Sequence, residues 1–237
     1  MSQLFPAPYD KVNEDYQNIV YGLLSYFESI GCTACIAGGC IRDWRINNNI
    51  NDIDFFISLK GDYHTNYTWT KRQFFVKINE ILNNAPHPGW SKVDGKSKSE
   101  PKKSDAINPL QLALEKIEED SPVYDKELFV FENTVRTYGL KSIEPIKIQL
   151  IFVPLTKYTS IFSFICDTFD FDINKGVAKL EDGKIRFDDS FLVAELERAT
   201  ITFNLSKLIE DTWRLKKVPD RAARFQDKLS NFNIRIV

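Results

Sequence analysis

Histidine is scarce in this chain, and its cysteines lack the spacing of a metal site. The 237 residues include only two histidines, and the CxxC pair of Cys32 and Cys35 runs into a strand-like apolar segment with no second CxxC behind it. A structural zinc site needs four nitrogen or sulfur ligands, and a redox CxxC pair needs a helix directly after it. Both kinds of site are therefore disfavoured, and we expect buried thiols in a reducing compartment.

Long apolar runs and an excess of one charge are also missing. No apolar run is long enough to cross a bilayer, and the opening MSQLFPAPYD lacks the basic and apolar regions of a signal peptide. The net charge is −2, so the chain as a whole has no bulk attraction for polyanions. We expect a cytoplasmic protein without a membrane partner, and nothing in the sequence indicates an oligomeric state.

Helix and strand patterns alternate along the first part of the chain. Apolar residues at spacings of three and four predict a helix that ends at Gly31 and a second helix over 70–83. Strands are predicted for TACIAGG, DIDFFISL, LFVFENTV and IKIQLIFVP, and a hairpin for GVAKLEDGKIRF. Together these patterns predict an α/β (α+β) fold with a mixed sheet.

Two further segments differ in composition. Residues from about 85 to 106 are rich in Pro, Gly, Ser and Lys, which predicts a mobile basic loop within the first domain. From residue 191 the pattern is mostly helical and rich in basic residues. We therefore divide the chain into a domain over 1–190 and a small helical C-terminal appendage over 191–237.

The stretch AGGCIRDWRINNNINDIDFFISL carries the strongest chemical signal. Asp52 and Asp54 are two residues apart on a predicted strand, so their side chains point the same way, about 7 Å apart at the backbone. Two like charges that share one place are costly unless a cation neutralises them. Carboxylate oxygens are among the ligands that Mg²⁺ prefers. Two such ions would activate a hydroxyl and stabilise a leaving pyrophosphate.

The residues before the aspartates fit the same chemistry. Gly38 and Gly39 let the backbone approach a phosphate, and a helix opening after them offers N–H groups to anionic oxygens. The alternative is a tight turn followed by an ordinary strand with an acidic solvent face. The joint order of glycine pair, Arg-Asp pair, loop and DID strand favours the functional interpretation.

This joint pattern resembles the first motif of the DNA polymerase β nucleotidyltransferase superfamily. Within it, the pattern is most similar to the head domain of tRNA nucleotidyltransferases (CCA-adding enzymes) and bacterial poly(A) polymerases. The resemblance implies a mixed-sheet nucleotidyltransferase fold over 1–190. It also implies that Asp52 and Asp54 are the catalytic residues that bind Mg²⁺ or Mn²⁺, and that Gly38 and Gly39 hold a nucleoside triphosphate (NTP).

Later segments resemble other motifs of the family in part. TFDFDIN is similar to the second motif, R-R-D-F-T-I-N, with Thr168 and Phe169 in place of the arginines. EDTWRLKK is similar to the base-reading motif E-D-x-x-R-x-x-R, although such acidic and basic residues are also ordinary helix surface pairs. By resemblance, further nucleotide-binding roles fall on Arg42, Asp43, Asp170, Asn174, Glu210, Asp211 and Arg214.

One family feature is missing from the strand IKIQLIFV. The superfamily often has a third carboxylate on such a strand, and here Gln149 stands at that place. Asp170 and Asp172 are the candidates to replace it.

RNA is a possible partner through two basic segments. One is the loop with Lys92, Lys96, Lys98, Lys102 and Lys103, and the other is the basic C-terminal helix. Both are also consistent with a solvated surface, which is the commoner meaning of a run of lysines.

Three functions remain open at this stage. The first is a metal-dependent enzyme that moves a nucleoside monophosphate from an NTP to a hydroxyl, at a tRNA-like RNA 3′ end. The second is a single-transfer enzyme that acts on a protein or small molecule. The third is a degenerate, non-catalytic module that binds a nucleotide or a partner.

Overall fold

The computed structural model describes residues 14–46, 50–59, 70–93, 128–135, 145–154, 158–204, 223–225, 227, 229 and 231–237. Within these ranges the elements are α1 (Glu14–Ser29), β1 (Thr33–Ala37), α2 (Gly39–Arg45), β2 (Asp52–Ser58), α3 (Lys71–Asn83), β3 (Ser91–Lys92), β4 (Phe129–Val135), β5 (Ile146–Phe152), α4 (Ile161–Thr168), a 3₁₀ turn (Asp172–Asn174), β6 (Val177–Glu181), β7 (Lys184–Asp188), α5 (Ser190–Arg198), β8 (Thr200–Phe203) and β9 (Asn233–Ile236). The predicted α/β class is confirmed.

A seven-stranded mixed sheet organises these elements, in the order β3-β4-β5-β2-β1-β6-β7. β2 runs parallel to β5 and antiparallel to β1, and β1 also pairs antiparallel with β6. The hairpin of β6 and β7 turns at Asp182 and Gly183, which both have positive φ. The strands and the hairpin predicted from the sequence are therefore confirmed.

Local signals fix the ends of the helices. α1 buries one apolar face and ends before Gly31, whose φ is 79°. α3 begins with a capping box, in which the Gln73 backbone N–H donates to Thr70 Oγ1 (3.3 Å) and the Thr70 N–H donates to Gln73 Oε1 (3.0 Å). Because each cap satisfies backbone donors that no helical turn can reach, the predicted helix over 70–83 starts where its sequence indicates.

The two faces of the sheet are covered unequally. Ile53, Phe55 and Ile57 of β2 point into the main core. Phe56 points to the opposite face, where it belongs to a smaller cluster that includes α4. Since side chains alternate along a strand, Asp52 and Asp54 share the face of Phe56, at the end of the strand away from it. The fold therefore leaves the aspartate end of β2 outside the apolar cluster under α4.

Residues 85–93 depart from the predicted mobile loop. Trp90 is buried and donates from Nε1 to the Pro86 carbonyl (3.2 Å), and β3 pairs with β4. Asn133 donates from Nδ2 to the His87 carbonyl (3.0 Å). A buried aromatic ring and side-chain bonds to the backbone hold this part of the segment in place. Residues 94–106 lie outside the described residues.

The expected helical appendage contains strands as well as helix. α5 matches the prediction, but β8 and β9 form a parallel pair. Their sequences, TITF and NIRI, are rich in β-branched residues, which favour strands. The division of the chain after residue 190 stays a prediction. Within the described ranges, no helix has the length and apolarity needed to cross a membrane.

Gly176 provides a test of the packing next to the site. A Cβ at this position would lie 2.8 Å from Ile41 Cγ2, and Ile41 is fully buried on α2. We expect Gly176→Ala to lower the free energy of unfolding by about 1–3 kcal/mol, because the stiff Ile41 side chain has to shift. Urea denaturation measures the change.

Gly22 gives the matched control for this substitution. It lies inside α1, and a Cβ there would meet nothing within 4 Å. Gly22→Ala is expected to raise stability by about 0.5–1 kcal/mol, through helix propensity alone. Equal effects of the two alanines would contradict the close contact at Gly176.

Candidate active site

Asp52 and Asp54 lie side by side on the face of β2 that the sequence predicts. Asp54 pairs in register with Ala37 of β1 on one side and with Gln149 of β5 on the other, and Asp52 pairs with Lys147. Both aspartates are partly buried. Both carboxylates therefore stand at the same end of the strand, next to the turn that follows β1.

Gly38 brings bare backbone against the Asp54 carboxylate. Its φ is 92°, in the region that favours glycine. A Cβ there would lie 3.7 Å from Asp54 Oδ2 and 3.8 Å from Phe169 Cε2. Gly39 then begins α2. The glycine pair thus turns the chain beside the carboxylates without placing a side chain between them.

The Asp54 carboxylate is largely shielded from water and lies beside a second negative charge. Burial and then the neighbouring charge of Asp52 raise its pKa, Lys147 lowers it, and the resulting pKa is about 7. The donor set consists of carboxylate oxygens, which hard divalent ions prefer. A divalent ion between the two side chains would offset their negative charges, so these residues fit Mg²⁺ or Mn²⁺.

Arg42 and Asp43 form a buried network with Asn174. Arg42 donates from Nε to Asp43 Oδ1 (2.9 Å) and from Nη1 to Asn174 Oδ1 (2.8 Å). Its guanidinium also lies 4.9 Å from the centre of the Phe225 ring. Arg42 and Asp43 are at most 6% exposed. This network ties α2 to the turn before β6 and so holds one wall of the site.

A cleft of about 320 Å³ opens beside Asp52. Its lining residues are Gly39, Arg42, Asn51, Asp52, Asn174, Arg224 and Phe225. Four predicted site residues thus meet at one cleft, with Asp54 and Gly38 next to it. The structure adds Asn51, Arg224 and Phe225.

Other predicted site residues lie outside the lining of this cleft. Asp43 holds Arg42, and Asp170 is buried outside the lining of the cleft. Asp172 forms an ion pair with Lys175 and accepts a bond from Asn204 Nδ2 (2.8 Å).

Two further sets of predictions concern the third carboxylate and the later motif and loop residues. Among the described residues no three His, Cys, Asp or Glu side chains group as metal ligands, and the replacement of the third carboxylate by Asp170 or Asp172 stays a prediction. Glu210, Asp211 and Arg214 lie outside the described residues, as do four of the five loop lysines.

Phe225 lines the cleft and packs against other aromatic rings, and no local sequence pattern predicts this contact. Its ring lies 4.6 Å from that of Phe171, which in turn lies 4.9 Å from Phe203. Phe171 is part of the TFDFDIN segment, three residues before Asn174. The only sequence signal for this region was the run of basic residues that includes Arg224.

The raised pKa of Asp54 predicts a pH dependence of stability in the absence of metal. The folded state keeps a proton that the unfolded carboxyl, with a pKa of about 3.9, has lost. Stability is therefore expected to fall as pH rises from about 4 to about 7, and Asp54→Asn should remove this part of the dependence. Urea denaturation in EDTA at about pH 4.5 and pH 8, for both proteins, measures the difference.

The exposed Glu197 on α5 supplies the control for this experiment. Glu197→Gln removes a carboxylate from the surface and should leave the pH dependence as in the wild type. An unchanged pH profile in Asp54→Asn would show that the Asp54 carboxyl titrates normally.

The sheet, the glycine turn and the carboxylate pair define a nucleotidyltransferase-type fold that resembles the tRNA nucleotidyltransferases. Among solved structures, a CCA-adding enzyme with CTP matches with a TM-score of 0.57 and 14% identity, over 96% of this chain and 42% of that one. A CCA-adding enzyme with ATP matches with a TM-score of 0.54 and 16% identity, over 95% of this chain and 40% of that one. The Thermotoga maritima CCA-adding enzyme complexed with tRNA matches with a TM-score of 0.55 and 15% identity, over 96% of this chain and 41% of that one.

A family model refines this assignment. The chain belongs to the Gabija anti-defense 2 (Gad2) family, whose model matches residues 13–198. The search of curated proteins found no significant match. The chain spans about two fifths of the length of the CCA-adding enzymes that it resembles, so the likeness concerns the fold.

Proposed function

We propose that the chain is a metal-dependent nucleotidyltransferase that moves a nucleoside monophosphate from an NTP onto a hydroxyl of a Gabija defence protein. The observation that carries the chemistry is the carboxylate pair of Asp52 and Asp54 beside the glycine turn and the cleft. The raised pKa of Asp54 supports it, because a buried like-charge pair is costly without a cation. The description of the family as Gabija anti-defense supports a Gabija protein as the acceptor.

The residues of the site would divide the work as follows. Asp52 and Asp54 hold the divalent ion, and Gly38 and Gly39 offer bare backbone to the triphosphate. When bound, the ion supplies Lewis acidity toward the attacking and leaving oxygens. Arg224 brings positive charge to the cleft that receives the phosphates.

The transfer itself is a substitution at the α-phosphorus. The acceptor hydroxyl oxygen bonds to that phosphorus, and the bond from the phosphorus to its bridging oxygen breaks. Pyrophosphate leaves with the electron pair, and the hydroxyl proton passes to water. The Arg42 network keeps the wall of the cleft fixed, so the NTP is oriented before the acceptor arrives.

An RNA 3′ end is the second candidate acceptor. The likeness to a CCA-adding enzyme whose structure contains tRNA favours it, together with the lysine-rich segment after Trp90. For RNA, phosphate contacts by lysines would make binding depend steeply on salt.

A non-catalytic module is the third candidate. The observation in its favour is Gln149, which stands next to Asp54 where the family often has a third carboxylate. Such a module would bind an NTP or a partner and transfer nothing.

One labelling experiment separates the three candidates. The protein is incubated with each α-³²P-labelled NTP, Mg²⁺, purified Gabija components and total RNA, and the labelled macromolecule is identified on gels after nuclease or protease treatment. Label that survives nuclease and is lost with protease supports a protein acceptor, whereas the reverse supports RNA. Absence of label from every fraction, with NTP binding retained, supports the non-catalytic module.

A further inference from the structure

β5 places an amide and an ammonium group directly beside the two aspartates. Lys147 pairs in register with Asp52, and Gln149 with Asp54, so all four side chains share one face of the sheet. With the Gln149 amide oriented to satisfy both neighbours, its Nε2 donates to Asp54 Oδ1 (3.1 Å) and its Oε1 accepts from Lys147 Nζ (3.3 Å). The amide thus links the carboxylate to the ammonium.

Glu132 of β4 holds the ammonium from the other side. It pairs in register with Gln149, and its Oε2 lies 2.6 Å from Lys147 Nζ. The carboxylate of Glu132 is therefore engaged by Lys147. Within the described residues it does not group with Asp52 and Asp54 as a third metal ligand.

The ammonium and the cleft lie on opposite sides of the aspartates. Apart from Asp52, the cleft is lined from α2, the loop before β2, the turn before β6 and the C-terminal segment, including Gly39 and Asn174. In the sheet, β1 and β6 lie on one side of β2, and β5 lies on the other. Lys147 therefore faces the aspartates from β5, on the side of β2 away from β1 and β6.

We propose that Lys147, held by Glu132 and Gln149, supplies the second positive charge of the site, so that Asp52 and Asp54 bind one divalent ion. The inference rests on the proposed function and deepens it. With Asp54 ionised, the three carboxylates and the ammonium of this cluster leave two negative charges, which one divalent ion neutralises. A second ion would add two positive charges beside a fixed ammonium, and among the described residues no third carboxylate groups with Asp52 and Asp54 to receive it.

The first test counts bound Mn²⁺ by equilibrium dialysis over a range of free Mn²⁺. We expect the wild type to saturate at one ion per chain, and Asp52→Asn to lose that ion. The double variant Lys147→Met, Gln149→Glu removes the ammonium and adds a carboxylate, so it is expected to saturate at two ions. Lys147→Arg keeps the positive charge and should still saturate at one bound ion per chain.

The second test compares Mn²⁺ affinity with transfer rate. Lys147→Met should bind the ion about tenfold more tightly, because a repelling charge is gone. It should transfer label at least about tenfold more slowly, because the second positive charge of the site is gone. Damage to the fold would weaken binding and transfer together. Lys147→Arg should restore both values toward those of the wild type.

The outcomes distinguish this inference from the proposed function. A wild type that transfers label and binds two Mn²⁺ ions, both lost in Asp52→Asn, would overturn the single-ion site and leave the proposed function standing. Mn²⁺ binding that is unchanged in both Asp52→Asn and Asp54→Asn would overturn the proposed function itself. The wild-type count needs no variant that might misfold, and thermal melts identify any variant that does.

Discussion

Asp52→Asn and Asp54→Asn are each expected to reduce NTP-dependent transfer at least about a hundredfold, because an amide keeps the shape of the side chain and loses the charge that holds the ion. Both proteins should remain folded. In EDTA, Asp54→Asn should be more stable than the wild type at about pH 8, because the like-charge contact with Asp52 is relieved. Label incorporation beside a thermal melt measures both effects.

Asp167→Asn is the matched control for these variants. Asp167 is exposed on α4, outside the cleft and its network, so its amide variant should transfer label at the wild-type rate. Near-normal rates in Asp52→Asn and Asp54→Asn, with an active wild type, would mean that the metal and the reaction lie elsewhere.

Arg42→Met is expected to cost about 3–5 kcal/mol of stability, because it leaves the buried charge of Asp43 without the guanidinium that satisfies it. Asn174 loses its bond from Arg42 in the same change. Arg42→Lys keeps the charge but not the forked geometry, so it should fall between the wild type and Arg42→Met. Urea denaturation gives the values.

The exposed pair of Lys77 and Glu80 on α3 provides the contrast. Its atoms are 3.0 Å apart, yet both side chains are at least half exposed. Lys77→Met is therefore expected to change stability by less than about 0.5 kcal/mol. A loss as small as this in Arg42→Met would show that the buried network does not hold the wall of the cleft.

The parts of the site that sequence reasoning predicted are those that depend on local rules. The alternation in DIDFFISL places Asp52 and Asp54 on one face whatever the strand pairs with. The glycine pair marks a turn, and the structure confirms a positive φ at Gly38. Periodicity and capping residues likewise located α1 and α3.

The parts that could not be predicted depend on which distant segments meet. The bond between Arg42 and Asn174 spans 132 positions, and the pair of Lys147 and Glu132 exists only because β4 and β5 adopt one register. A shift of one residue would send Glu132 to the other face. Strand registers and aromatic packing are set by the whole core, so no short motif contains them.

The central position of β1 has a consequence for synthesis of the chain. β2 covers one edge of β1 soon after it is made, but residues 177–179 of β6 cover the other edge much later. Until then a buried, apolar strand shows an open edge that can pair with another chain. Contacts of such long range also slow folding. We therefore expect aggregation to compete with folding until β6 has docked, and the cleft to assemble only after it.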